Sequence, residues 1–189
     1  MNIRYMLGAA ALALATTASG AELGDDGLHK ADWMRETFLD LREDLAEAND
    51  EGKRLMIIVE QRGCIYCTKM HEEVFPIPEI DAALHETYFV VQLNMYGDLE
   101  VTDFDGTVMS EKDMVQSWNV LFTPVMMFFP SDVAEGASAA DAAVATVPGA
   151  FGKWTTLNLL HWVRDEGYAG DETFQRYHAR MLQEQGITE

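Results

Sequence analysis

The amino-acid sequence predicts an α/β fold with a central mixed sheet, helices on both faces of that sheet and one extra helix at the C-terminus. Short apolar runs, which are typical of buried strands, alternate with stretches in which apolar residues recur at helical spacing. The last two apolar runs lie close together, as the strands of an antiparallel hairpin do. The chain has 189 residues, a length that suits one domain.

The first segment, residues 1–21, predicts a secretory signal peptide that is removed from the mature domain at 22–189. Arg4 supplies a short positive region, and an apolar run from Tyr5 to Ala15 leads to small residues at the expected cleavage site. The run is shorter than the roughly 20 residues that a membrane span needs. We therefore expect an exported, periplasmic protein, in a compartment where disulfides persist.

The first elements of the mature chain are an arm, a helix and a strand. Residues 23–30 are polar, so we expect a loose arm there. Apolar residues recur at spacings of three and four from Met34 to Ala48, which predicts an amphipathic helix that ends at Gly52. The uninterrupted apolar run Leu55–Val59 predicts a buried central strand.

The later elements continue the alternation. Helical spacing predicts a helix over Cys67–Phe75, which we expect Pro76 and Pro78 to end. The remaining predictions are a strand at Tyr88–Leu93, a loop at 95–109, a short helix capped by Ser110, a strand at Val125–Phe129, a surface insertion at 131–143, a strand at Val144–Val147, a helix that stops at Gly167 and a last helix at about 171–185.

The charge balance limits the classes of partner. Lys and Arg total 13 against 32 Asp and Glu, which gives a formal net charge of −19. Nucleic-acid binding depends on basic residues that neutralise phosphates, and a broad basic surface is also what anionic lipids attract. We therefore expect no nucleic-acid or membrane-surface partner, and the negative charge favours a soluble monomer.

The chemistry is expected at Cys64 and Cys67, the two cysteines of the chain, which lie between a predicted strand and a predicted helix. At the start of a helix, the unpaired backbone N–H groups and the macrodipole favour a thiolate. Cys64 would therefore attack a partner sulfur, and Cys67 would resolve the mixed disulfide. The pair predicts disulfide exchange with protein thiols and disulfides, with no bound cofactor.

Two cysteines at this spacing have other uses in proteins. A structural disulfide across so short a loop would constrain little chain. A zinc site needs about four ligands, and covalent haem attachment needs a histidine where Thr68 stands. Copper handling by the cysteines with Met126 and Met127, as in a metallochaperone, and glutaredoxin-like glutathione chemistry remain alternatives. We expect no resident metal.

The pattern resembles the thioredoxin superfamily over about residues 33–167. The likeness rests on the strand Leu55–Val59, the Cys-x-x-Cys motif, the helix after it and Thr123-Pro124 at the start of a later strand. In that family the proline is cis and lies beside the cysteine pair. The resemblance therefore implies that Thr123, Pro124 and Tyr66 contact the substrate.

Within the superfamily, the chain looks most like the periplasmic SoxW-type thioredoxins. The likeness rests on the segment Glu60–Cys67 and on the tail Phe174–Tyr177. It implies a reductant that takes electrons from a membrane thiol transporter and passes them to a sulfur-oxidation carrier. Tyr66 and Thr123 also resemble the exported disulfide isomerases, although no dimerisation domain is evident.

The sequence departs from the family at three positions. Ile65-Tyr66 replaces Gly-Pro, Gly63 replaces a tryptophan, and Ile58 stands where the family has a buried aspartate. The proton-handling role of that aspartate does not transfer. Glu60 is the nearest acidic residue and a candidate base, although a solvated carboxylate at a strand end is the simpler interpretation. His71 is interpreted as a solvated helix histidine.

Overall fold

The computed structural model describes residues 21–187, so almost all of the predicted signal peptide lies outside the described residues. In chain order, the strands are β1 (Glu22–Leu23), β2 (His29–Lys30), β3 (Met34–Arg35), β4 (Arg54–Glu60), β5 (Tyr88–Asn94), β6 (Glu100–Thr102), β7 (Val108–Ser110), β8 (Val125–Phe128) and β9 (Ala145–Pro148). Five of them form the central sheet in the order β3-β5-β4-β8-β9, and β1-β2 and β6-β7 are separate two-stranded pairs.

Helices lie between these strands. In chain order they are α1 (Leu41–Asp50), α2 (Ile65–Lys69), α3 (Pro78–Thr87), α4 (Glu111–Ser117), α5 (Ala139–Ala142), α6 (Lys153–Arg164) and α7 (Phe174–Glu184). A π-helical turn, Met70–Val74, continues α2, and a 3-10 turn, Gly167–Ala169, follows α6. Within residues 21–187, every helix is too short or too polar to cross a membrane.

The sheet is mixed, which confirms the predicted fold class. Strand β4 runs parallel to β5, with Leu55 opposite Phe89, and antiparallel to β8, with Ile57 opposite Met127. Strands β8 and β9 form the predicted antiparallel hairpin. Because β4 has a neighbour on each side, it is buried from Leu55 to its last residue, Glu60.

The core lies on both faces of the sheet. Successive residues of β4 point to opposite faces, so Ile57 packs with α1 and α4 while Ile58 packs with α3 and α6. Burial on both faces explains why this strand is an uninterrupted apolar run instead of an alternating one.

The first helix is shorter than its apolar stripe predicts. It begins at Leu41 because the carboxylate of Asp40 accepts hydrogen bonds from the N–H groups of Arg42 and Glu43. Met34, which the periodicity placed in the helix, belongs to β3 and pairs with Val90. An N-cap side chain therefore overrides the apolar spacing.

The role predicted for Pro78 is wrong. Pro78 begins α3, a helix that the sequence analysis missed, and does not end the preceding one. Proline suits the first position of a helix because the N–H group it lacks has no intrahelical partner there. The predicted loop at 95–109 also contains most of the β6-β7 hairpin.

The segment predicted to be a loose arm and the one predicted to be a surface insertion are both tied to the body of the protein. The arm at 23–30 forms the β1-β2 hairpin, and Leu28 and His29 are buried. The insertion at 131–143 contains α5, where the buried Ala139 donates its N–H to Asp103 at 2.7 Å. The predicted C-terminal helix is present as α7.

Helix α1 buries an acidic side chain. Asp44 is 3% exposed and accepts a hydrogen bond from the Thr37 hydroxyl at 3.3 Å. Burial raises the pKa of Asp44 to about 7, and nearby carboxylates add to the rise against the Thr37 hydrogen bond. The folded state thus holds this proton at a pH where the unfolded chain releases it.

We expect Asp44 to destabilise the protein as the pH rises from about 4 to about 7, with no further loss above that range. A tenfold change in proton affinity corresponds to about 1.4 kcal/mol, and relaxation of the protein around a buried charge reduces the full value. Asp44→Asn should therefore gain roughly 2 to 3 kcal/mol over the wild type at pH 8 relative to pH 4, measured by urea unfolding. Glu47→Gln, at an exposed position of the same helix, should show little such gain. An Asp44→Asn effect that is equal at both pH values would contradict the expectation.

Candidate active site

The two cysteines lie where β4 leads into α2. Cys64 is the N-cap residue of α2, with extended backbone angles, and its Sγ accepts a hydrogen bond from the Cys67 N–H at 3.0 Å. The two residues form a disulfide, and neither has much contact with solvent, since Cys64 is 6% exposed and Cys67 is fully buried. The order of exposure agrees with attack by Cys64, which stays a prediction.

The backbone around Cys64 favours negative charge on its sulfur. The sulfur lies at the amino end of α2, where N–H groups point toward it. The first turn of α2 contains no acidic residue that would offset this effect, and Lys69 stands in the last turn. The local structure therefore stabilises a Cys64 thiolate once the disulfide is reduced.

The start of β8 completes the site. The Thr123–Pro124 peptide bond is cis, as the resemblance implies. The Thr123 hydroxyl donates to the Cys64 Sγ at 3.2 Å, although 59 residues separate them. The structure thus brings Cys64, Cys67, Thr123 and Pro124 together at one end of the sheet.

An apolar rim of exposed side chains adjoins the site residues along the chain. Its members are four side chains that are each more than half exposed, two between the cysteines and two just before Thr123: Ile65, Tyr66, Leu121 and Phe122. Tyr66 was predicted from the sequence, and its exposure is compatible with a substrate contact. Leu121 and Phe122 were missed, although two large apolar residues just before the proposed cis proline were a usable signal.

Glu60 lies inside the protein and is not the solvated carboxylate that the simpler interpretation expected. It is fully buried, and its Oε1 lies 2.9 Å from the Nε2 of His71. Its Oε2 accepts a hydrogen bond from the Nε2 of Gln92 at 2.6 Å. Glu60 is buried because it ends the central strand under the N-terminal hairpin.

The prediction of a solvated His71 is also wrong. The side chain is 2% exposed, and its ring contacts Phe75 edge-on at 5.0 Å. The Nδ1 atom of His71 is buried without a hydrogen-bond partner. The surrounding aromatic side chains, which sequence spacing did not bring together, exclude water from the ring.

Three side chains at this position offer metal-ligand atoms. Atoms of His29, Glu60 and His71 lie within 4.8 Å of one another. A metal ion lies in the plane of each imidazole ring that binds it, whereas the His29 and His71 rings are stacked at 9° with centroids 4.5 Å apart. Stacked parallel rings cannot both direct a nitrogen at one ion, so the geometry fits hydrogen bonding and not a metal site.

The two methionines of the copper-binding alternative, Met126 and Met127, do not both point toward the cysteines. Met126 packs in the core on one face of the sheet and Met127 packs in the core on the other. Both side chains are 1% exposed. Their sulfur atoms are thus part of the hydrophobic core, which is the common role of buried methionine.

Comparison with known proteins gives a family match. Residues 41–143 match the model of the thioredoxin-like domain family. This range contains the cysteine pair, the cis proline and all strands of the central sheet except β3 and β9. Among curated protein sequences, none matches the chain.

Solved structures share the fold at low sequence identity. A thioredoxin-fold protein from Helicobacter pylori is 14% identical, with a TM-score of 0.54 over 75% of this chain and 94% of its own. A thioredoxin from Thermus thermophilus is 22% identical, with a TM-score of 0.51 over 70% of this chain and 90% of its own. At these identities the likeness concerns the fold alone.

Proposed function

Because this chain belongs to the thioredoxin-like domain family, we propose that it is an exported reductant of the SoxW type, which keeps the cysteines of a periplasmic partner in the thiol form. It is a thioredoxin-like thiol–disulfide oxidoreductase. The observation that carries the proposal is the Cys64–Cys67 disulfide at the start of α2, with the Thr123 hydroxyl on the Cys64 sulfur.

The reaction proceeds by two sulfur displacements. In the reduced protein, the Cys64 thiolate attacks one sulfur of the partner disulfide, and the other partner sulfur leaves as a thiolate. The Cys67 sulfur then attacks the Cys64 sulfur, which restores the disulfide and releases the second partner thiolate. Two electrons pass to the partner. The Thr123 hydroxyl stabilises the Cys64 thiolate that attacks in the first step.

The second displacement requires the buried Cys67 thiol to lose its proton. Glu60 ends the strand that precedes the motif, and His71 follows Cys67 by four residues. The carboxylate of Glu60 is held by His71 and by Gln92. We assign Glu60 as the group that accepts the proton, with His71 as its positioning residue.

The surface around the pair suits an extended polypeptide. A segment that carries the partner disulfide can lie along the backbone at Thr123 and add to the chain in the manner of a β-strand. The exposed side chains of Ile65, Tyr66, Leu121 and Phe122 supply apolar contact on either side of Cys64. The partner class is therefore a protein thiol or disulfide, proposed here as a sulfur-oxidation carrier, with a membrane thiol transporter as the electron donor.

The charges near the site favour a reductant. A strong oxidant needs a very stable thiolate in its reduced form. Arg62 is the nearest basic residue before Cys64 in the sequence, but its side chain lies against Gly27 in the N-terminal hairpin. The buried Glu60 and the acidic surface both oppose an additional negative charge, although salt screens the distant groups.

We expect a reduction potential near that of thioredoxin, about −270 mV, and far from that of a strong oxidant at about −120 mV. The measurement is equilibration of the mature protein with glutathione buffers of known ratio, followed by thiol counting. A potential above about −150 mV, with protein from the periplasm recovered fully oxidised, would overturn the reductant assignment and leave a disulfide-forming role.

A further inference from the structure

The N-terminal hairpin covers the buried Glu60–His71 pair. Gln92, on β5, ties the hairpin to the sheet, because its Nε2 donates to the His29 carbonyl at 2.8 Å and its Oε1 accepts from the Lys30 ammonium at 2.7 Å. The same Nε2 donates to Glu60. One amide group thus links the cover to the carboxylate beneath it.

The hairpin also covers the Glu60–His71 pair with the imidazole ring of His29. The His29 imidazole stacks on that of His71 at a centroid distance of 4.5 Å, and Trp33 lies parallel to the same ring at 5.9 Å. The His29 residue is 9% exposed, whereas His71 and Glu60 have almost no exposure. Among the three, His29 is therefore the group through which water reaches the pair.

A proton on His29 weakens this closure. A cationic His29 would lie face to face with His71, which already shares a hydrogen bond with Glu60. Burial lowers the pKa of His29, and the charge of His71 lowers it further, while the carboxylates of Glu60 and Glu72 oppose the change. Charged groups elsewhere in the hairpin and in the loop against it include Asp26, which pairs with Lys30, and Arg62, which lies against Gly27.

We propose that the hairpin of residues 22–30 is a pH-sensitive cover, held closed over Glu60 and His71 by the His29 ring stack and released when His29 takes up a proton. The stack is complete above the ordinary range of histidine titration. It weakens as the pH falls below that range toward the lowered pKa of the stacked His29. The hydrogen bond between Lys30 and Gln92 returns strand β2 to the same position against β5 when the cover closes again.

The functional consequence rests on the proposed function. When the cover opens, Glu60 exchanges its proton with bulk water instead of only with groups inside the protein. The second sulfur displacement, which needs that proton transfer, then depends on pH through a residue that does not touch the cysteines. His29 is thus a regulatory residue of the site and not a catalytic one.

The test is hydrogen–deuterium exchange of the full oxidised protein at about pH 7.5 and about pH 5, corrected for intrinsic rates. For the wild type, we expect protection of the peptide spanning 22–30 to fall by at least about tenfold on acidification. His29→Phe keeps a ring that cannot be charged and should stay protected at both pH values. His29→Ala should be open at both, and His85→Gln, at an exposed histidine of α3, should behave as the wild type.

Two results would overturn the proposal: equal protection of the wild-type hairpin at both pH values, or loss of protection in His29→Phe on acidification. The first needs no variant, so it holds even if a variant does not fold. A parallel assay of protein disulfide reduction separates the two proposals. A hairpin that opens as expected in a protein without exchange activity would contradict the proposed function alone.

Discussion

Replacing Cys64 by serine should abolish disulfide exchange, with a loss of at least about a thousandfold in the rate at which the reduced protein opens the disulfides of a model protein. A serine hydroxyl stays protonated where a cysteine thiol ionises, so the first displacement has no nucleophile. The fold should survive, because the disulfide closes a loop of only a few residues and contributes little to stability.

The matched control is Cys67→Ala, which also removes the disulfide but keeps the attacking sulfur. This variant should still attack and then accumulate a mixed disulfide with its partner, since nothing resolves it. Gel electrophoresis without reductant detects the adduct, and mass spectrometry of adducts trapped in the periplasm identifies the partner. An adduct that forms with Cys64→Ser and not with Cys67→Ala would reverse the two roles.

The second large effect is on stability. His71→Leu should lower the free energy of unfolding by about 3 kcal/mol, because it leaves a buried carboxyl group with one of its two side-chain hydrogen bonds. Glu60→Gln should cost less, about 1 kcal/mol, since an amide can still pair with His71. Both values come from denaturant unfolding at neutral pH.

A double variant isolates the interaction between the two side chains. Glu60→Leu combined with His71→Leu removes both polar groups and should cost less than the sum of the single changes. Purely additive costs, or a loss below about 1 kcal/mol in His71→Leu, would show that the pair contributes little.

The elements predicted best are those whose structure is determined by residues within a short stretch of the chain. The strand around Ile57 is buried on both faces, so its composition alone shows its place in the sheet. The cysteine pair has a spacing and a position after a strand that determine its geometry at a helix start. The cis proline followed from the resemblance, and not from spacing.

The parts that were missed depend on contacts between distant segments. Whether Glu60 is solvated depends on the hairpin around His29, which lies 31 residues earlier, and on Gln92 from the neighbouring strand. No local pattern brings these residues together. Two other errors have local causes. Helix α1 starts later than predicted because Asp40 caps it, and Pro78 starts a helix because it occupies the first helical position. In both cases the prediction followed the apolar periodicity instead of these signals.

The two edges of the central sheet limit how copies of this protein can aggregate. Edge strand β3 has two residues, and edge strand β9 has four and ends at Pro148, which has no N–H to donate. Neither edge offers a long template on which a second copy could extend the sheet. With a net charge of −19 that makes copies repel one another, the protein can expose an apolar rim for its partners at little risk of forming fibrils.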